Sequence, residues 1–425
     1  MRLVESNEWL QCIACAARYA IFEARYFCEC GNLLAVERTP GALSQIEPKQ
    51  FDSRLGGRSA LEQSGVWRFR EGVLTIEDKY IVSHPEGGTH LYRRPRLSQW
   101  AGIDELYFKH EGENPTGSFK DRGITVAISQ AMAIDAPAVA CASTGNTSAS
   151  LAAYAAQAGK KAVVFVPEGK VSVTKMVQTL AYGALCLKVE GDFDAAMRLV
   201  REACRKMGLY LLNSVNPFRI EGQKTIAWEL LQDLGWDAPD WIALPAGNLG
   251  NTSALGKALK EAFEAGWISK VPRLAAIQAS TANPFFLSYR QAFATRPKVK
   301  AETIASAIRI GEPVSFDKAK AAILYTRGIV SEVTDAELLL AKRKIDRAGI
   351  GCEPASACSL AGVKKLRELG AIQSSDRVVC ILTGNLMKDP EAVLAPIEGV
   401  PGAEDQVIAV KADVDSVAKA LEGRL

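Results

Sequence analysis

From about residue 137 onward the chain alternates short, almost wholly apolar runs with amphipathic stretches. AVACAS (138–143), KKAVVFVPE (160–168), LCLKVEG (185–191), LYLLNSV (209–215), DWIALP (240–245), RLAAIQAS (273–280) and RVVCIL (377–382) predict strands. Between them, VSVTKMVQTLAYGA (171–184), DFDAAMRLVREACRKMG (192–208), IEGQKTIAWELLQDLG (220–235) and GNLGNTSALGKALKEAFEAG (247–266) predict helices. Strands that are apolar on both faces and separated by helices form a mainly parallel sheet covered on each side. The expected class is α/β. At 425 residues the chain exceeds what one core usually serves, so two lobes are expected. The smaller spans about residues 135–235 and the larger is built from the flanking regions, both within a unit covering 39–425.

The first 38 residues read differently. Cys12 and Cys15 are followed by Cys28 and Cys30, two close pairs able to surround a tetrahedral zinc ion in a small ribbon. The second pair has one intervening residue where ribbons normally have two, so a flap of reduced thiols is the alternative. Four thiolates would leave no open position, so any zinc would be structural.

Ligands of open α/β sheets bind at the carboxyl ends of the strands. Three strand-to-helix turns there are rich in small and amide residues. In the first, STGNTS, Ser143, Thr144 and Thr147 carry hydroxyls and Asn146 an amide at a helix start, a cradle for a carboxylate. The same residues are also common caps. In the second, AGNLGNTS, Gly247 and Gly250 allow close approach while Asn248, Leu249 and Asn251 offer N–H groups. Its glycine spacing matches neither a dinucleotide fingerprint nor a Walker loop, which leaves a terminal monophosphate. In the third, LTGNLMKDP, Thr383 presents a hydroxyl at a strand end. Upstream, NPTGSFKDRG (114–123) holds Lys120 at the mouth of a turn. A desolvated lysine becomes a nucleophile toward aldehydes. Reactive lysine, monophosphate cradle, carboxylate cradle and ring hydroxyl together describe pyridoxal 5′-phosphate.

These segments, with NSVNPFRIEGQKT, make the chain resemble the threonine synthases, among the fold-type-II pyridoxal-phosphate enzymes, over nearly its whole length. CGNLLAVE after the cysteines resembles the family's N-terminal piece. The resemblance implies that Lys120 is the Schiff-base lysine and that Asn146 bonds the cofactor's phenolic oxygen. It implies that Gly247, Asn248, Leu249, Gly250 and Asn251 hold the phosphate and that Thr383 partners the pyridine nitrogen. Ser143, Thr144 and Thr147 match the substrate carboxylate site. Asn213, Ser214 and Arg219 match the site for a substrate phosphate, which an arginine fork suits. The implied reaction is O-phospho-L-homoserine plus water giving L-threonine and phosphate, in a homodimer.

Two positions depart from the family pattern: His90 in EGGTHL stands for a proline, and Asn385 after LTG for a histidine. Cγ versus Cβ loss is not written in these motifs. A β-replacement enzyme using phosphoserine, or a serine/threonine dehydratase, therefore stays open, as does a zinc-ribbon binding protein with a degenerate body. With 51 basic and 48 acidic residues the net charge is +3, which argues against nucleic-acid or membrane-surface partners. No apolar run approaches a membrane span, MRLVESNEWL lacks an apolar signal core, and single cysteines in apolar runs suit a reducing compartment. A cytoplasmic protein is expected.

Overall fold

The computed structural model describes residues 7–168, 173–394 and 407–422. The first two residues of the helix expected over 171–184 lie outside that description.

Thirteen strands among the described residues form three sheets. The N-terminal sheet joins β1 (Glu8–Cys12), β2 (Arg18–Ala20) and β3 (Leu34–Arg38) in the order β2-β1-β3, antiparallel throughout. Alternation puts Leu10 and Cys12 on its inner face. A second sheet contains β4 (Leu91–Arg93), β5 (Glu105–His110), β10 (Trp241–Pro245), β11 (Arg273–Ala279), β12 (Ile329–Val333) and β13 (Arg377–Leu382). Its order is β12-β11-β10-β13-β5-β4, parallel except for edge strand β4. The third joins β6 (Ala138–Ala142), β7 (Lys161–Pro167), β8 (Leu185–Val189) and β9 (Tyr210–Leu211), all parallel, in the order β8-β7-β6-β9. Central strands β6 and β10 are buried at every position, as their unbroken apolar runs require.

Two expected elements come out differently. The run LYLLNSV pairs as a strand over Tyr210–Leu211 alone. Beyond it, the Asn213 side chain takes over the ladder. Its Oδ1 accepts from Ala142 N and its Nδ2 donates to Ala142 O, both at 2.9 Å, while the backbone turns away. The helix expected over 220–235 is two abutting helices, Phe218–Gln223 and Thr225–Asp233.

Two helices set the geometry of the site. The helix Lys120–Ala133 packs against Phe218–Gln223 so closely that a Cβ on Gly222 would lie 1.7 Å from the Arg122 carbonyl oxygen. Gly123 faces the Arg219 backbone across the same contact. Only glycines permit that approach, and it brings Arg219 beside Lys120.

The ribbon is fastened to this body. Arg38, on β3, pairs with Glu8 at 2.8 Å and with buried Glu221 at 3.0 Å. Lys318 donates to Leu34 O at 2.6 Å, and Leu211 N, on β9, donates to the Tyr26 hydroxyl at 2.7 Å.

Candidate active site

The turn carrying Lys120 is fixed before the lysine is reached. Gly117, at φ +82°, closes a turn in which its N–H donates to Asn114 O. Thr116 is held by Asp121 through its N–H at 2.7 Å and its hydroxyl at 2.6 Å. The turn then docks on the end of β13: Phe119 N donates to Thr383 O at 3.0 Å and Asn385 N to Gly117 O at 2.9 Å. Lys120 opens its helix with Nζ 3.9 Å from the Phe119 ring centroid. Desolvation, with the Arg219 charge adding to it, pulls its pKa from 10.5 down to about 7, against a smaller opposing pull from Glu353. Its amine is thus neutral in a large share of molecules near neutral pH.

The structure gathers the strand-end turns around this lysine. Residues 143–147 lie half-exposed between β6 and the helix Asn146–Gln157, with Gly145 N bonded to Ser143 Oγ at 3.3 Å. The Asn146 amide reaches across to the start of the helix Pro354–Glu368, where Nδ2 donates to Glu353 Oε2 at 2.9 Å. At the end of β10, Leu249 adopts the left-handed conformation (φ +64°) immediately before the helix Gly250–Glu264. The first N–H groups of that helix have no partner within it and point along its axis toward the turn. Gly247 lets the 305–308 segment close in, since a Cβ there would stand 2.8 Å from Ile308 Cα. The Asn248 side chain ties the turn to two neighbours, donating to Ser214 Oγ at 2.6 Å and accepting from Val314 N at 2.7 Å. Asn251 is buried with neither side-chain polar atom bonded, and Thr252 Oγ1 and Ser118 Oγ are likewise without partners.

Arg219 is 3% exposed. One Nη donates to Leu212 O at 3.0 Å, Nε has no partner, and among the described residues no carboxylate lies within 4 Å. Burial drags its pKa down to about 10. Asn213, by contrast, has its amide engaged by Ala142 and stands as a strut beneath the site.

The sequence reading missed Glu353 and Gln223. Glu353, from GCEPASA, is 4% exposed and accepts from Thr383 Oγ1 at 3.0 Å as well as from Asn146. A glutamate before a proline at a helix start reads as an ordinary cap. Gln223, in the EGQKT run, has an unpartnered Oε1 that would lie 3.6 Å from a Cβ on Gly250. Of the two departures, His90 sits on the surface with Nδ1 3.0 Å from Glu113 Oε2. Asn385 caps the turn after β13 by accepting from Met387 N at 3.0 Å.

Residues 82–384 match the model of the family described as pyridoxal-phosphate dependent enzyme. A threonine synthase of Methanocaldococcus jannaschii is 44% identical over 97% of this chain and 99% of its own. That of Methanosarcina acetivorans is 42% identical over 98% of this chain and 99% of its own. The chain belongs to the threonine synthase family of pyridoxal-phosphate-dependent lyases. A solved L-serine ammonia-lyase from Rhizomucor miehei superposes with TM-score 0.63 over 72% of this chain and 98% of that one; at 24% identity it shows the shared fold alone.

The site accommodates the family's cofactor. It presents a lysine with a lowered pKa, a free helix start behind a left-handed turn, a strand-end hydroxyl, and buried polar atoms on Ser118, Asn251, Thr252 and Gln223 without protein partners. Buried polar atoms are normally bonded, and a polar ligand at these turns would supply partners for them. No helix among the described residues is long and apolar enough to cross a membrane.

Proposed function

We propose that this member of the threonine synthase family converts O-phospho-L-homoserine and water to L-threonine and phosphate, by loss of phosphate from Cγ and addition of water at Cβ. The observation that carries the reading is Arg219: a buried guanidinium with donors to spare and, among the described residues, no carboxylate counter-ion calls for an anionic ligand. A substrate carrying its own phosphate supplies one besides its carboxylate, and a free hydroxy amino acid has the carboxylate alone.

In this reading Lys120 and the turn Gly247–Asn251 hold the cofactor at its aldehyde and phosphate ends, with Asn146 and Thr383 at the ring. When bound, pyridoxal phosphate draws electrons away from the substrate's Cα. Ser143, Thr144 and Thr147, beside the N-terminus of the helix Asn146–Gln157, orient the substrate carboxylate. Arg219, with Ser214 beside it, receives the substrate phosphate bidentately and stabilises it as it leaves. Lys120, with a pKa near 7, takes the Cα proton, and a Cβ proton then leaves as phosphate departs from Cγ. Lys120 returns a proton at Cγ, water adds its hydroxyl at Cβ and a proton returns to Cα, because an amine poised near the working pH can both accept and donate.

Phosphate release with O-phosphohomoserine and with O-phosphoserine decides the substrate. Turnover of O-phosphohomoserine to threonine is expected, and release from O-phosphoserine alone would replace this reading with β-replacement. Borohydride treatment followed by peptide mapping is expected to fix the cofactor to Lys120 and to no other lysine.

The four ribbon cysteines are assigned a structural zinc ion. Cys12 and Cys30 Sγ lie 3.5 Å apart, Cys15 and Cys28 Sγ 3.4 Å, and all four sulfurs fall within 4.8 Å of one another. A Zn–S bond of about 2.3 Å sets the edges of a thiolate tetrahedron at about 3.8 Å. Cys12 Sγ also faces the N–H groups of Ala14 and Cys15 at 3.4 and 3.5 Å, donors that suit a thiolate. One zinc per chain in the purified protein, lost in Cys12→Ser, is expected; metal-free protein with four titratable thiols would remove the assignment. The reading also carries a cytoplasmic setting and a homodimer, the latter checked by sedimentation.

A further inference from the structure

Glu353 occupies an unusual position. It sits at the N-terminus of the helix Pro354–Glu368, with its backbone N–H donating to Gly384 O at 2.9 Å. Its carboxylate is buried and, among the described residues, has no cation within ion-pair distance. Instead it is held by two uncharged donors from different lobes. Asn146 Nδ2, heading a helix of the smaller lobe, bonds Oε2 at 2.9 Å, and the Thr383 hydroxyl, at the end of β13, bonds Oε1 at 3.0 Å. The fold makes room for it: a Cβ on Gly384 would stand 2.5 Å from Glu353 Cδ. Ser356 steadies the same corner, its Oγ 3.0 Å from Thr383 Oγ1 and accepting from Gly384 N at 3.1 Å. The charged groups acting on the carboxylate are Lys120, at the start of its helix, and Lys388, in the turn after β13.

A buried carboxylate without a counter-ion is costly unless its charge is used. Asn146 and Thr383 are the two residues assigned above to the phenolic oxygen and the pyridine nitrogen of the cofactor ring, and the inference rests on that reading. We propose that Glu353 is the positioning residue of the cofactor site, clamping Asn146 and Thr383 across the cleft and fixing the direction in which the Thr383 hydroxyl points. The physical argument is a count of protons. The hydroxyl has one proton. While Glu353 is ionised that proton is donated to Oε1, so Thr383 turns a lone pair to whatever else it meets and favours a protonated ring nitrogen. The negative charge acts in the same sense, since a nearby anion favours the cationic form of a neighbour. An unaided threonine would do neither.

The test uses the holoenzyme and its Glu353→Gln, Glu353→Asp and Glu353→Ala variants, with Asn146→Ala and Thr383→Val as references. Glu353→Gln keeps size and removes the charge, leaving one accepting oxygen where the carboxylate has two. It is expected to bind pyridoxal phosphate within a few-fold of wild type. The pH midpoint of the bound cofactor's visible absorption is expected to fall by about one unit, with kcat lowered about tenfold and KM little changed. Glu353→Ala, which frees both partners, is expected to weaken cofactor affinity at least tenfold, with Glu353→Asp recovering part of it. Melting of the cofactor-free proteins separates these effects from misfolding. A Glu353→Gln enzyme with the wild-type midpoint and kcat overturns the proposal and leaves Glu353 a strut. If Asn146→Ala and Thr383→Val also bind cofactor as well as wild type, the assignment of the ring site itself has failed.

Discussion

Two buried arginines, one on each of two helices packed through glycine, show how this protein separates structure from chemistry. Arg122 lies two residues beyond Lys120 and is saturated. It bonds Glu111 through Nε and Nη2, each at 2.7 Å, Glu229 at 2.8 Å, and Gly65 O at 3.0 Å. Around it, Arg68 and Lys109 also pair with Glu229. Two carboxylates hold the Arg122 pKa above its ordinary value despite full burial. Arg219, across the contact, has one carbonyl partner, an unbonded Nε and a pKa drawn down to about 10. The first network locks the N-terminal segments, β5 and the helix Thr225–Asp233 into one body. The second arrangement is left incomplete where a ligand can finish it. Burial alone therefore does not mark function; burial without a partner does.

Removing the central amine should have the largest effect on the incomplete side. Lys120→Ala is expected to lose about 10⁴-fold or more in turnover, since proton transfer and cofactor attachment fail together. Single-turnover assays of cofactor-reconstituted protein measure it, and activity within tenfold of wild type would remove Lys120 from its role.

Next comes the contrast between the arginines. Arg122→Met strands Glu111 as a buried anion, takes one of three cations from Glu229, and should destabilise the fold by about 3–5 kcal/mol. It should appear as a large fall in melting temperature or as insoluble protein. Arg219→Met removes a charge that no carboxylate among the described residues pairs, so the melting temperature of the ligand-free protein should hold or rise. Its kcat/KM for O-phosphohomoserine should drop about 100-fold, the worth of a charge-assisted bidentate pair of about 2–3 kcal/mol. If both variants melt alike, the distinction between the two sites is wrong.

A smaller effect lies in the pH dependence of stability. Lys120 has a folded-state value near 7, below the ordinary 10.5, so between those limits the unfolded chain binds more protons than the folded one. Stability of the ligand-free protein should therefore rise with pH from about 7 toward 10, muted because the side chain keeps partial solvent access. Lys120→Gln should flatten that slope relative to wild type in chemical denaturation at several pH values; an unchanged slope would mean that the lysine is not desolvated. Smallest should be the effect of zinc removal at the ribbon. Chelation is expected to lower the melting temperature by a few degrees with cofactor retained, because Arg38, Lys318 and Tyr26 still fasten the segment.

Much of this was legible from residue order. The apolar runs placed β6, β7, β10, β11 and β13 to within a residue or two, because a strand buried on both faces has nowhere to hide a polar position. The turns at Ser143, Gly247 and Thr383 were visible because glycine, asparagine and hydroxyl residues crowd where strands end. Lys120 stood out through Gly117 and Pro115, which shape its turn. The family resemblance gave Asn213 as a substrate-phosphate contact; in the fold both ends of its amide bond the Ala142 backbone. Glu353 carried no local signal, because its partners are 207 and 30 residues away.

The sequence by itself determined the periodicity, the location of the strand-end turns and the kinds of side chain available in them, since each follows from local sterics and burial. Only the tertiary structure decided which charges are paired. Arg122 and Arg219 differ by nothing in their side chains. The fold gives one two carboxylates and the other a single carbonyl partner, and pairing depends on distances that only the folded chain sets.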